Sequence, residues 1–166
     1  MPERDFIVEK KRLTYEGLFS VSELYRLIDE YFENLGYDRV ELKNTEVVQP
    51  DGKYIEIEFE PYKSVTDWAK ETIHIRMIFS QVKEVDVKRD DMARRLNSGK
   101  VQLIIDAWLA SDTNKMWEEK PIYYLLRQIF HKYVYPPVTS KFKADMKNHV
   151  TRLCDEVKAF LNLYRF

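Results

Sequence analysis

The chain has 166 residues, of which 45% are hydrophobic and 33% charged, and its 27 Lys and Arg nearly balance its 28 Asp and Glu. This length and composition predict one globular domain with a hydrophobic core, and the net charge of -1 argues against a dedicated nucleic-acid binder. The single cysteine, Cys154, excludes an intrachain disulfide. The N-terminal residues lack a signal-peptide pattern and no apolar run approaches a membrane span, so we expect a cytoplasmic protein without a transmembrane segment.

The N-terminal residues predict a strand followed by a helix. Residues 6–19 are rich in β-branched and aromatic side chains and alternate in part, with a charged interruption, which is typical of a strand. Ser20 and Glu23 have the spacing of a capping box, so we expect a helix over 21–35. Gly36 is expected to end that helix, because glycine adopts the left-handed conformation without steric cost.

Residues 38–111 predict consecutive antiparallel strands, because the hydrophobic period there is two rather than 3.6. Ile55, Ile57 and Phe59 alternate with glutamates, which places an apolar face against the core and a charged face in water. The expected interruptions are a turn at 50–52, a strand end at Pro61, a polar connection over 62–71, a bulge near Gln81, and polar turns at 88–91 and 97–99.

The C-terminal residues predict two helices. The first spans 121–135, starts with a proline that suits a first helical turn, and carries a broad apolar stripe. Pro136 and Pro137 are expected to break it. The second spans 139–164 and has apolar residues at three- and four-residue steps. Together the elements predict a single α+β domain over 1–166, in which a curved antiparallel β-sheet packs on a long C-terminal helix.

This element order resembles that of the START and Bet v 1-like helix-grip superfamily. The resemblance implies a sheet curled around the terminal helix and an apolar cavity for a lipid or similar small molecule. The chain departs from the family in having no glycine-rich loop and in carrying the extra helix over 121–135. The alternation in three strands that face the long helix predicts a pocket for a small apolar ligand. Its lining would be Ile57, Phe59, Ile75, Met77, Leu103, Ile105, Val157 and Phe160.

No motif for catalysis, metal binding or cofactor binding occurs in the sequence. The three histidines lie far apart, and neither a serine nucleophile elbow nor a phosphate-binding glycine loop is present. We therefore assign no catalytic, metal or cofactor residue and expect a protein that is not an enzyme.

Four charged residues of the predicted strands have a structural interpretation. Glu56 and Glu58 are expected on a solvated sheet face, where His74 and Arg76 would form cross-strand ion pairs with them. Cys154 lies in the apolar stripe of the last helix, where a thiol behaves as a small hydrophobic group.

The aromatic residues around the helix predicted over 121–135 suggest two further hypotheses. One is a protein-interaction subunit or homo-oligomer, and the other is a peripheral membrane protein. The structural alternative is that one side of this helix packs on the sheet and the other on the terminal helix. The candidate interaction surface comprises Trp117, Tyr123, Tyr124, Arg127 and Tyr135.

Overall fold

The computed structural model describes residues 3–111, 122–129, 132–133 and 135–163. The strands and helices, in chain order, are β1 (Glu3–Phe19), α1 (Val21–Asn34), β2 (Asp38–Gln49), β3 (Gly52–Thr66), β4 (Ala69–Arg89), β5 (Met92–Ser111), α2 (Ile122–Ile129) and α3 (Tyr135–Asn162). The predicted α+β class is confirmed.

The strands form one open antiparallel sheet in the order β1-β5-β4-β3-β2. Strands β2 to β5 pair in sequence order, whereas β1 pairs with β5 at the far side of the sheet. The strands β1 and β2 are therefore the two edges. The prediction of consecutive antiparallel strands over 38–111 is confirmed.

Helices α1 and α3 cover one face of this sheet, which we call the inner face. The alternation in β4 points Ile73, Ile75, Met77 and Phe79 to that face, and all four side chains are fully buried. Side chains of α1 and α3 complete the same core. Each fully buried aliphatic side chain stabilises the fold by roughly 1.5–3 kcal/mol relative to exposure in water. The buried residues of the helices are Leu24, Ile28, Phe32, Met146, Val150, Leu153, Cys154, Val157 and Leu161.

The predicted start and end of α1 are confirmed. The Ser20 hydroxyl accepts a hydrogen bond from the Glu23 backbone N–H at 3.4 Å, which satisfies one of the free donors at the helix start. Gly36 follows the helix with φ 78°, and its N–H donates to the Glu33 carbonyl at 2.9 Å.

Two expected interruptions of the sheet are wrong. Pro61 does not end a strand: it lies within β3 opposite Arg39 of β2, and most of the connection expected over 62–71 is strand. The turn expected at 97–99 lies within β5, paired with β4 and β1. Pairing with a neighbour on each side holds these residues extended, although their local composition is typical of turns.

The bulge expected near Gln81 is confirmed and depends on a close approach of backbones. The β4–β5 register shifts between Ser80 and Lys83, and Gln81 has φ 54°. Gly99 of β5 faces this bulge, and a β-carbon at Gly99 would lie 2.8 Å from the Ser80 carbonyl oxygen. Gly52 approaches the bulge from β3, where a β-carbon would lie 2.8 Å from the Gln81 carbonyl carbon. Glycines on both neighbouring strands thus leave room for the bulge.

The helix break expected at Pro136 and Pro137 is wrong, because both prolines lie within a helix. Helix α3 begins at Tyr135, so Pro136 and Pro137 stand in its first turn, where a missing N–H costs no helical hydrogen bond. Helix α2 is described over Ile122–Ile129, and its predicted bounds of 121 and 135 adjoin residues that lie outside the described ones, so they stay predictions. The predicted end of the last helix at Tyr164 lies outside the described residues.

The steric role of Gly99 gives a first prediction. Gly99→Ala should lower the free energy of unfolding by about 1–3 kcal/mol, because the added methyl group meets backbone that is fixed by the bulge. Urea unfolding followed by circular dichroism measures the change. Ser98→Ala, on the adjacent residue of the same strand, is the control and should change stability by less than about 0.5 kcal/mol. Equal stability of Gly99→Ala and the wild type would contradict this account.

Candidate functional site

The eight residues predicted to line a ligand pocket converge between the sheet and α3. Seven of them belong to the hydrophobic core, with exposed fractions of 6% or less, and Phe160 packs against that core. Phe59 also lines an open cleft of about 250 Å³ between α1 and the start of β2. The sequence thus identified a set of side chains that meet, and their use as a ligand pocket stays a prediction.

The side chains of the predicted interaction surface lie outside the described part of the structure. Trp117 lies outside the described residues, and for Tyr123, Tyr124, Arg127 and Tyr135 only the helical backbone is described. The exposure of four aliphatic side chains of α2 is described. Ile122, Leu125, Leu126 and Ile129 are spaced as one stripe of a helix and are 65%, 65%, 46% and 49% exposed. The expectation that both sides of this helix pack on the fold fails for its aliphatic stripe.

Basic residues surround this aliphatic stripe in the sequence. Residues 120–144 contain five Lys and Arg and no Asp or Glu, although the whole chain has a net charge of -1. Tyr133 is 67% exposed, and the Lys132 Nζ lies 5.5 Å from the centre of its ring. The segment that exposes apolar side chains is therefore also a basic one.

The face of the sheet opposite the helices, which we call the open face, carries the predicted cross-strand ion pairs. Arg76 binds Glu56 through Nε at 2.7 Å and Glu58 at 3.1 Å, and the Lys43 Nζ donates to Glu56 at 2.7 Å. The hydrogen bond from Lys43, together with Arg76, holds the pKa of Glu56 at about 2, below its usual value of 4.5. The expectation that Glu56 is solvated is wrong, because its two partners cover it and leave its side chain 6% exposed.

His74 extends these contacts across the sheet. Its Nε2 lies 3.5 Å from Glu58, and its Nδ1 lies 3.9 Å from Asp106 of β5, the residue directly opposite. Asp106 also accepts a hydrogen bond from the Lys10 backbone N–H at 2.7 Å, where β1 bulges and Lys10 has φ 46°. The charged interruption predicted in the first strand is thus a bulge that Asp106 stabilises.

A cleft of about 460 Å³ lies at one end of the open face and crosses all five strands. Trp108 is buried in it, with the Arg4 guanidinium 5.0 Å from the centre of its ring and Phe6 at a ring distance of 5.6 Å. The Lys70 Nζ lies 3.9 Å from the centre of the Tyr62 ring. The other residues that line the cleft are Val40, Glu60, Ser64, Thr66, Asp67, Trp68, Ala69, Thr72 and Ala110.

A buried polar cluster joins the sheet to the helices on the inner face. The Tyr37 hydroxyl donates to Glu71 at 2.6 Å and lies 3.3 Å from Nδ1 of His149. The Tyr31 hydroxyl donates to the His149 carbonyl at 2.7 Å, which links α1 to α3. Burial raises the pKa of Glu71 and lowers that of His149, so both side chains are biased toward their neutral forms.

Sequence reasoning missed the Glu71 cluster, although one signal was present. Extending the alternation of Ile73 and Ile75 back by two residues places Glu71 on the inner face, where a carboxylate needs a partner. Its partner Tyr37, and His149, which contacts Tyr37, stand 34 and 78 positions from Glu71 along the chain, and no local pattern connects them. The cluster fixes α3 against the end of the sheet.

Three further observations bear on chemistry. Cys154 is buried, and burial raises the pKa of its thiol, which agrees with a small hydrophobic role. In the described part of the chain, no group of His, Cys, Asp and Glu side chains is arranged to hold a metal ion. Nor does that part contain a helix with the length and apolar character needed to span a bilayer.

Searches of protein-family models, of curated proteins and of solved structures find no match to this chain. The function must therefore be inferred from the contacts and surfaces themselves.

The raised pKa of Glu71 gives a second prediction, on stability and pH. Ionised Glu71 destabilises the folded state, so the wild type should lose stability relative to Glu71→Gln as pH rises from 4.5 through the raised folded-state pKa. At pH 8 we expect Glu71→Gln to be as stable as the wild type or more so. Urea unfolding between pH 4 and 8 measures both proteins.

Tyr37→Phe is the matched variant. It removes the donor to a buried carboxylate, so it should lower stability at pH 8 by about 1–3 kcal/mol. A Glu71→Gln protein that is clearly less stable than the wild type at pH 8 would show that the ionised carboxylate stabilises the fold, contrary to this interpretation.

Proposed function

We propose that this protein is a non-enzymatic peripheral protein that binds reversibly to an anionic lipid surface through α2. The observation that carries the proposal is the exposed stripe of Ile122, Leu125, Leu126 and Ile129. A helix of a globular protein ordinarily buries such a stripe, because apolar surface in water is unfavourable. A surface that removes these four side chains from water is therefore a favourable partner.

The small area of the described aliphatic stripe favours a lipid surface over a groove on another protein. The eight described residues of α2 extend about 12 Å, at 1.5 Å per residue. A specific protein–protein interface typically buries about 800 Å² on each partner, far more than one stripe of this length provides. A lipid surface needs no complementary shape, and aliphatic side chains can enter the boundary between headgroups and acyl chains.

The charge of the surrounding segment favours anionic headgroups. Five basic residues and no acidic residue lie between positions 120 and 144, and one of them, Lys143 of α3, already pairs with Asp5, which leaves four. Each basic residue near an anionic membrane contributes about 1 kcal/mol, and this attraction decreases with salt. Stable attachment generally needs an apolar and an electrostatic contribution together, and this segment combines both.

Vesicle flotation tests the proposal. The wild type should float with phosphatidylcholine vesicles that contain phosphatidylserine, more weakly at high salt, and not with phosphatidylcholine alone. The double change Leu125→Ser and Leu126→Ser should abolish flotation. Val48→Ser is the matched control, because Val48 is 77% exposed but lies on the edge strand β2.

Two outcomes would overturn the proposal. One is the absence of flotation with anionic vesicles at low salt. The other is a protein that is dimeric by light scattering and becomes monomeric in the Leu125→Ser, Leu126→Ser variant, because the stripe would then bind a second copy of the chain.

A second candidate function is carriage of an apolar molecule between the sheet and α3, as the helix-grip resemblance implies. Its support is the convergence of the eight predicted lining residues on one core. Because their side chains pack against each other, such a molecule would enter by displacing α3 from the sheet. Native mass spectrometry is expected to detect a co-purifying lipid-sized adduct, and a Met77→Trp substitution that fills this core should remove it. A native mass equal to that of the polypeptide alone would exclude this candidate function.

A further inference from the structure

The cleft around Trp108 holds four charged side chains that do not neutralise one another. Arg4 and Lys70 rest against aromatic rings, and among the described residues neither they nor Glu60 and Asp67 form an ion pair. Elsewhere on the same face, Glu56 and Arg76 pair across strands. Charges of both signs in the cleft are thus free to bind groups of a ligand.

Thr72 lines the same cleft, and its buried hydroxyl has no hydrogen-bond partner among the described residues. Thr72 is 6% exposed. Leaving a buried polar group unpaired is costly, so the site favours an occupant that bonds to this hydroxyl.

The aromatic side chains determine the shape of ligand that fits. Trp68 and Tyr62 line the cleft and are half-buried, which leaves apolar ring surface for a flat molecule, whereas the buried Trp108 ring is covered by Arg4 and Phe6. The cleft volume of about 460 Å³ lies within the usual range for small-molecule sites, roughly 300–1,000 Å³.

We infer that this cleft binds a nucleoside monophosphate. The base stacks on Trp68 and Tyr62, as bases do in proteins that bind single strands. The phosphate carries about two negative charges and lies at Arg4 and Lys70, where charge-assisted hydrogen bonds form. Glu60 and Asp67 accept hydrogen bonds from the amino group of the base and from the ribose hydroxyls. The Thr72 hydroxyl bonds to the same ligand.

Isothermal titration calorimetry with AMP, adenosine and inorganic phosphate tests the inference. AMP should bind saturably, and adenosine or phosphate alone should bind at least tenfold more weakly, because each lacks half of the contacts. Lys70→Gln should weaken AMP binding about tenfold, which corresponds to one charge-assisted bond. Lys83→Gln is the matched control on the same strand, because Lys83 lies beyond the Gln81 bulge and should leave binding unchanged.

Thr72→Val separates ligand binding from folding. It replaces the unpaired hydroxyl with a methyl group of similar size, so the variant should unfold at a higher temperature and still bind AMP more weakly than the wild type. Three results would each overturn the inference: no saturable binding of AMP, CMP, GMP or UMP, equal AMP affinity in Lys70→Gln and Lys83→Gln, or binding of phenylalanine without binding of any nucleotide.

Discussion

Burial of apolar side chains between the inner face of the sheet and the helices α1 and α3 is the interaction on which the rest of the structure depends. The four alternating residues from Ile73 to Phe79 are fully buried there, as are Val150 and Val157 of α3. Ion pairs on the open face contribute less, because their basic partners remain partly exposed. The edge strand β1 contributes Leu13 and Phe19 to this apolar layer, whereas the edge strand β2 is exposed and is held by its pairing with β3.

The two faces of the sheet consequently have different roles. The inner face is occupied by the core, and its one described carboxylate cluster, around Glu71, fixes α3 at the sheet end. The open face has no such layer in the described part of the chain and presents paired charges beside the Trp108 cleft. The stripe on α2 is apolar but lies outside the core. The proposed lipid and nucleotide sites therefore lie on surfaces, whereas the second candidate function would use the core.

The local hydrophobic pattern predicted on which face of the sheet a residue lies better than it predicted where a strand ends. Alternation placed Glu56, Glu58 and Arg76 on one face, and the structure pairs them there. Pro61 was interpreted as a strand end because proline lacks a backbone donor, yet it lies inside β3. The Glu56 side chain was expected to be exposed to water, because glutamate side chains usually are. In the structure Lys43 and Arg76, which lie on neighbouring strands, cover it.

By itself, the sequence determined most strands and helices and which side chains share a face, because the periods of two and 3.6 are properties of neighbouring residues. Only the tertiary structure decided that β1 lies beside β5 and in which register β3 and β4 pair. Those pairings assemble the Trp108 cleft from five strands and bring Tyr37, Glu71 and His149 into contact. Contacts between residues so distant in the chain depend on strand order and register, which no local period specifies.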